Sequence, residues 1–412
     1  MGRCADKIIM KLLTIGLSPF YFTRNSKIHN SLIKSLPGHI GENLSLSSIF
    51  LEHDIEYFPQ ESISDRYRDI NGTFYSTCAV GDSLVTSVFD IIEKEDPDTI
   101  ITIGSFSDLE YIRAVKRVIP EDFNWIVILT SNIGPQTSCF LDTLRESDLV
   151  VCLTNQSHQV LIANGVNSKL SKYGPDDIYF HNSKNKDITE DSCPVFMIND
   201  KNVQQSNIAM VLDSFSNFTD RDFNIILHTN YYEQGDYDLD SLTSKFKDSQ
   251  IEISENFIGL KEGCKDIELI DIYARAHFFI DLSIKPVTSL CSIEAATQGC
   301  IPIINSHGSL SESIVGESSI IGLDKFLIDS NIFFGEHLEP FYIASQSSFC
   351  NKIEESMDLF VNNEEYLKLS KSTKSISTGF SSKGFCRNIS NFIISNNDIR
   401  DKKGLRIKVE TF

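Results

Sequence analysis

Residues 283–312, SIKPVTSLCSIEAATQGCIPIINSHGSLSE, constrain the fold more than any other stretch of the chain. They follow an apolar run at 277–282 and carry helix formers over 289–298. Within that helix Ser292 is available as a cap, and Glu294 is expected in the first turn, where a carboxylate suits the helix dipole. Gly299 stands where a helix-closing glycine belongs, and 300–305 is a second apolar run before a polar, glycine-bearing loop at 306–312. Strand, loop, helix, strand, loop is a βαβ unit. Its two loops lie at strand C-terminal ends, the edge at which open α/β sheets bind ligands.

The same alternation runs along the rest of the chain. Strands are expected at 11–15, 55–58, 99–103, 125–129 and 149–153, and helices at 23–36, 81–95, 108–118, 139–146 and 155–164. Ile28, Leu32, Ile33 and Leu36 form the stripe of the first helix, with Pro37-Gly38 as its expected stop and Gly165 stopping the last. Asp176-Asp177 reads as turn or surface, and the polar stretch 181–191 suits a linker. A second series follows, with strands at 194–198, 223–228 and 251–253, helices at 205–215, 239–247 and 267–276, and a further strand at 320–323. Helices at 349–362, 364–377 and 384–396 complete it, before a charged tail. The expected fold class is α/β, as two Rossmann-like parallel-sheet domains over 10–185 and 192–378, with 379–412 as a crossover helix and tail.

Within the anchoring stretch, Ser289-Leu290-Cys291-Ser292-Ile293-Glu294-Ala295-Ala296, Gly299, Pro302-Ile303-Ile304 and Gly308-Ser309-Leu310-Ser311-Glu312 resemble the donor core of family 4 glycosyltransferases, retaining enzymes of the GT-B fold. The resemblance implies two Rossmann-like domains facing across a cleft and a nucleotide-diphosphate sugar as co-substrate. It implies no permanently bound cofactor and no metal. It assigns Glu294 to the ribose hydroxyls, and Ser289, Leu290, Ser292, Gly308 and Ser309 to the donor. Lys201, followed by Asn202, matches the lysine that meets the donor diphosphate, so Lys201 and Glu294 are the expected catalytic residues. Gly16 and Ser18, with the basic cluster Arg24, Lys27 and His29, are candidates for the loop after the first strand. The chain also departs from the family. Pro286, with Lys285 adjacent, stands where a glutamate usually faces the sugar, 196–200 holds no basic partner, and Asn132 or its neighbours replace the usual histidine.

The expected activity is therefore transfer of a hexosyl or pentosyl group to an unidentified hydroxyl acceptor, a glycan or small molecule first. Hydroxylated bases of viral DNA are an alternative acceptor. A non-catalytic nucleotide-sugar-binding protein is an alternative of another class, and a nucleotide-sugar 2-epimerase a third. The formal net charge of −20 weighs against nucleic acid, which a polyanion repels unless a basic patch is concentrated locally. The ten cysteines form no CxxC pair or metal-like spacing, and suit reduced thiols in the cytoplasm. No apolar run of about 20 residues suggests a membrane span. The N-terminal apolar stretch is short for a secretory signal, and Asp6 stands where a myristoylation pattern wants Ser or Thr.

Overall fold

The computed structural model describes residues 10–17, 24–41, 44–52, 67–78, 82–104, 113, 123–131, 138–186, 188, 192–229, 235–247, 250–254, 264–284, 288–316, 323–334 and 340–402. The first half gives β1 (Met10–Leu17), α1 (Arg24–Ile40), β2 (Leu44–Glu52), β3 (Gly72–Cys78), α2 (Asp82–Glu95) and β4 (Thr99–Gly104). It continues with β5 (Asn124–Leu129), α3 (Ser138–Arg145), β6 (Leu149–Cys152), α4 (Asn155–Ala163) and β7 (Ser168–Leu170). Its strands form one parallel sheet in the order β3-β2-β1-β4-β5-β6-β7. Strands β4, β5 and β6 are buried along their whole length, as helices on both faces of a parallel sheet require. Successive side chains serve opposite faces: Trp125 and Val127 join one core cluster, Ile126 and Ile128 the other.

The second half gives α5 (Asp177–His181), β8 (Val195–Asn199), α6 (Ile208–Phe215), β9 (Asn224–His228), α7 (Leu239–Thr243), β10 (Ile251–Ser254), α8 (Asp266–Arg275) and β11 (Phe278–Asp281). Then come α9 (Leu290–Thr297), β12 (Ile301–Asn305), α10 (Ser309–Gly316) and β13 (Leu327–Ile328), followed by the antiparallel hairpin β14 (Ser330–Phe334) and β15 (Pro340–Ala344). Three helices close the chain, α11 (Gln346–Val361), α12 (Asn363–Ser377) and α13 (Ser382–Lys402). The parallel sheet here runs β10-β9-β8-β11-β12-β13. Both sheets therefore reverse their winding once, between β1 and β4 and between β8 and β11, and a crevice opens at the C-terminal ends of strands at each switch. These are two Rossmann-like domains. Helix α13 places Phe385, Ile389 and Ile393 in the cluster of the first sheet, beside Leu12, Ile28 and Ile101. A Cβ on Gly174 would stand 2.5 Å from Phe380, so the outgoing and returning chain segments touch there.

Several expectations change. Helix α1 runs through Pro37 to Ile40, and Gly41, at φ +93°, ends it in place of Gly38. The apolar stripe ends at Leu36, but a proline in a last turn removes only one ladder bond, so the backbone continues. The strand expected at 55–58 lies outside the described residues, as do most of the helix expected at 108–118 and 320–322 of the strand expected at 320–323. Strands β2 and β3 and the β14–β15 hairpin were not foreseen. The helix expected at 205–215 splits at Asn207, whose φ is +57°. The stretch read as a linker is strapped down instead: the Ser183 hydroxyl donates to Thr297 O, and the Lys186 ammonium to the carbonyls that end α8. Ser289, not Ser292, takes the N-cap position of α9, so Glu294 lies beyond the first turn. Gly299 closes α9 with φ +78°.

Candidate functional site

Helix α9 starts beside the β8/β11 switch and carries Glu294 inward, where the side chain is only 1% exposed. Its Oε1 accepts from the Lys27 ammonium of α1 at 2.8 Å, and its Oε2 from the Tyr273 hydroxyl of α8 at 3.2 Å. Asn199, the last residue of β8, donates to the same tyrosine oxygen at 2.6 Å. Lys27 is also 3.9 Å from Asp266, which accepts from the Tyr179 hydroxyl. One polar chain thus joins both domains through β8, α8, α9 and α1. Burial pushes the Glu294 carboxyl above its usual pKa, and Lys27 pulls it back. Burial alone would lower Lys27, but the Glu294 carboxylate outweighs it and holds the ammonium above the usual lysine value. The pair is ionic, with one end reachable, because Lys27 keeps a third of its side-chain surface.

Two carboxylates mark the switch itself. Asp281 ends β11 and accepts from Ser283 N–H and the Ser292 hydroxyl, both at 3.1 Å. Asp200 follows β8 and accepts from Lys201 N–H at 2.7 Å. Burial, and then the charge of Asp281, push Asp200 up to about 7, so near neutrality this carboxyl is divided between its acid and its anion. Lys201 is exposed next to it. Asn202 is fully buried, donates to Tyr237 O at 2.8 Å, and packs so tightly on Gly235 that a Cβ there would stand 2.1 Å from its amide. Among the expected donor residues it is the one that fixes a loop.

At the first switch Gly16 lies against His29: a Cβ on Gly16 would stand 3.0 Å from the ring. His29 is wholly buried, its Nδ1 donating to Leu17 O and its Nε2 accepting from Thr14, which in turn accepts from Ser48. Burial lowers it to about 4, so it is a neutral support for the end of β1. Ser18 and Lys285 lie outside the described residues. Leu290 is buried in the first domain's cluster, carrying the start of α9 across the boundary.

Buried polar side-chain atoms without a hydrogen-bond partner among the described residues gather on the same edges. Ser131 follows β5, Thr229 follows β9, Thr288 precedes α9, Asn305 ends β12 and Ser309 begins α10 after Gly308, whose φ is +111°. Each such group costs about 1–3 kcal/mol when left dry. Their grouping at strand C-terminal ends describes a surface built for a polar ligand. Next to it, the Glu312 carboxylate of α10 accepts from Asn155 and Gln156 N–H, at 2.7 and 2.9 Å, at the N-terminus of α4 in the first domain. The Gln156 amide bonds the Tyr342 hydroxyl of β15 at 2.9 Å, and Lys172 donates to Ser313 at 2.6 Å.

Of the expected residues, the structure gathers Ser289, Ser292, Glu294, Gly308, Ser309 and Lys201 at the strand ends of the second sheet. Asp200, Asp281, Tyr273, Asn199, His307 and Tyr342 were missed. Only Tyr273 had a signal, as the tyrosine of the helix that leads into the donor loop. Among the described residues no group of three or more His, Cys, Asp or Glu is arranged to hold a metal ion.

No protein-family model matches the sequence, and no curated protein does either. Solved structures do match in shape. A glycosyltransferase from Rickettsia africae aligns with a TM-score of 0.68 at 13% identity over 95% of this chain and 99% of its own. The lipopolysaccharide outer core galactosyltransferase WaaB aligns at 0.61 and 10% identity over 94% and 99%. A UDP-GlcNAc 2-epimerase from Neisseria meningitidis, bound to UDP-GlcNAc, aligns at 0.55 and 11% identity over 95% and 100%. At such identities the likeness is one of fold, and the fold is GT-B.

Proposed function

We propose that this chain is a glycosyltransferase that moves a sugar from a nucleotide-diphosphate sugar to a hydroxyl acceptor, with retention at the anomeric carbon. The observation that carries this reading is the gathering of buried, unpartnered polar groups and one buried ion pair at the C-terminal strand edges of a GT-B chain. The solved structures it resembles in fold include two glycosyltransferases and an epimerase bound to a nucleotide sugar.

The geometry supports an exchange. A ribose diol donates two hydrogen bonds, and Glu294 has two acceptor oxygens held by Lys27 and Tyr273. When the ribose hydroxyls take that carboxylate, the Lys27 ammonium is released beside the diphosphate. Lys201 supplies a second cation from the opposite loop, and the acid form of Asp200 keeps the nearest carboxyl from repelling the anion. Cleavage of the anomeric bond puts negative charge on the departing diphosphate, and fixed cations stabilise that charge more than the ground state. The acceptor hydroxyl then attacks the face from which the diphosphate leaves, giving up its proton to a diphosphate oxygen. No side-chain base is needed. The donor is a co-substrate, and no permanently bound cofactor enters the scheme. A cytoplasmic setting belongs to the same reading; among the described residues no helix is long and apolar enough to cross a membrane.

Incubation with a panel of nucleotide sugars and candidate acceptors, with released nucleoside diphosphate as readout, tests the proposal. Acceptor-dependent release is expected. A second reading, a nucleotide-sugar-binding protein without catalysis, is favoured by the closed Glu294–Lys27 pair and by the Asp200 and Asp281 carboxylates at the switch. Binding of donors with no release under any acceptor would select it.

A further inference from the structure

Resting on that reading, we propose that His307 is the specificity-determining residue of a subsite for the transferred sugar, and that this subsite takes a neutral, hydroxyl-bearing hexose rather than an acidic one. His307 lies in the loop between β12 and α10, half-buried at the strand ends of the second sheet. Its ring stacks on Tyr342 with centroids 4.0 Å apart and planes at 27°. Tyr342 is itself immobilised: it is fully buried, its N–H donates to Ile284 O at 2.8 Å, and its hydroxyl is tied to Gln156 of the first domain. The imidazole is therefore held in a fixed plane from beneath. Among the described residues neither of its nitrogens meets a hydrogen-bond partner.

The polar groups at the same strand ends determine what ligand fits. Asn305, Ser309 and Thr288 each carry a buried side-chain oxygen without a partner. The Asn305 amide nitrogen donates to Ser283 O at 2.8 Å, which fixes the amide and leaves its Oδ1 as a pure acceptor. The set offers one pure acceptor, two hydroxyls that donate or accept, and an imidazole that burial keeps neutral, with one donor and one acceptor nitrogen. A phosphate or carboxylate only accepts, so it leaves Asn305 unsatisfied and finds no cation among these four groups. Sugar hydroxyls each donate and accept. The pattern matches a vicinal diol, while Lys27 and Lys201 suit the diphosphate.

The experiment uses the full chain with 15N-labelled histidine, the His307 ring resonances being assigned by loss in His307→Asn. Uridine diphosphate, UDP-glucose, GDP-mannose and UDP-glucuronic acid are titrated in turn, and turnover is measured for each donor. The expected result is that a nucleotide hexose shifts the ring resonances while uridine diphosphate does not. His307→Asn should then lower kcat/KM for the hexose donor by about tenfold, the scale of one lost hydrogen bond, with nucleoside diphosphate affinity unchanged. Equal shifts with uridine diphosphate alone, preference for the glucuronate, or full activity in a folded His307→Asn variant would overturn the assignment while the glycosyltransferase reading stood. If no nucleotide sugar binds at all, both are overturned.

Discussion

At the scale of single residues, the site's chemistry is carried by two charges that burial has made expensive to leave alone. Burial of Glu294 is offset because Lys27 and Tyr273 answer both of its oxygens, and on the proposed reading a nucleotide replaces at least one of them. In Glu294→Gln the amide keeps one acceptor and loses the charge, so nucleoside diphosphate affinity should fall by about 1–3 kcal/mol, measured by calorimetric titration. An unchanged affinity would remove Glu294 from the donor site. Asp200 gives a pH test whose sign follows from its raised pKa. A carboxyl with a folded-state value of about 7, above its ordinary value of 3.8, favours the fold fully below that ordinary value. The contribution is lost as pH rises through about 7, where the anion faces Asp281. Stability should therefore fall from about pH 4 to about pH 7 in the parent, diphosphate affinity should fall as pH rises through about 7, and Asp200→Asn should flatten both profiles. Parallel profiles for parent and variant would show that Asp200 does not titrate in this window.

At the scale of elements, helix α9 depends on its last turn. Gly299 has φ +78°, and an added Cβ would meet Ser370 Oγ at 2.5 Å, the hydroxyl that itself donates to Gly299 O. Gly299→Ala should cost about 1–3 kcal/mol in thermal or denaturant unfolding, from both strain and crowding. An unaltered midpoint would mean that α12 moves aside freely. Elements of this kind were legible in the sequence. Strands β4, β5, β6 and β12 are buried on both faces and spell continuous apolar runs, and Gly165 and Gly299 mark helix ends because both need positive φ. Strand β2 was missed because Ser45, Ser47 and Ser48 dilute its apolar signal. The β14–β15 hairpin was missed because its apolar residues fall on both faces, with Ile332 and Phe333 about half exposed. Within the candidate site, Glu294, Gly308 and Ser309 were named from the resemblance to the family 4 donor core, which lies in one short stretch of sequence. Their partners could not be named that way: Lys27 is 267 positions from Glu294, and the Asp281–Ser292 bond joins a strand end to a helix across an intervening loop. Such pairings are fixed by the winding of two sheets, which no local window contains.

At the scale of the whole molecule, the two domains meet through polar contacts that any donor cycle must respect. The seam holds Lys27 on Glu294, Gln156 on Tyr342, Lys172 on Ser313, and the Glu312 carboxylate on the first two N–H groups of α4. The Glu312 contact is the most directional. A carboxylate at a helix N-terminus satisfies donors that have no partner within the helix and meets the positive end of the helix dipole, and here the helix and the carboxylate belong to different domains. Glu312 also lies in α10, which begins two residues after His307, so loosening the seam moves the loop that carries the sugar-facing ring. Glu312→Ala should therefore open the cleft: small-angle scattering should give a larger radius of gyration without ligand, and each domain should keep its own unfolding transition. The lost coupling is about 1–3 kcal/mol, the scale of charge-assisted hydrogen bonds at a helix end, and should appear as a raised KM for the donor with a smaller change in kcat. Glu312→Gln, which keeps an acceptor oxygen but no charge, should fall between the two. Identical scattering and kinetics for parent and Glu312→Ala would show that the seam is held by apolar contacts such as Leu290 in the first domain's core, and that Glu312 only caps α4.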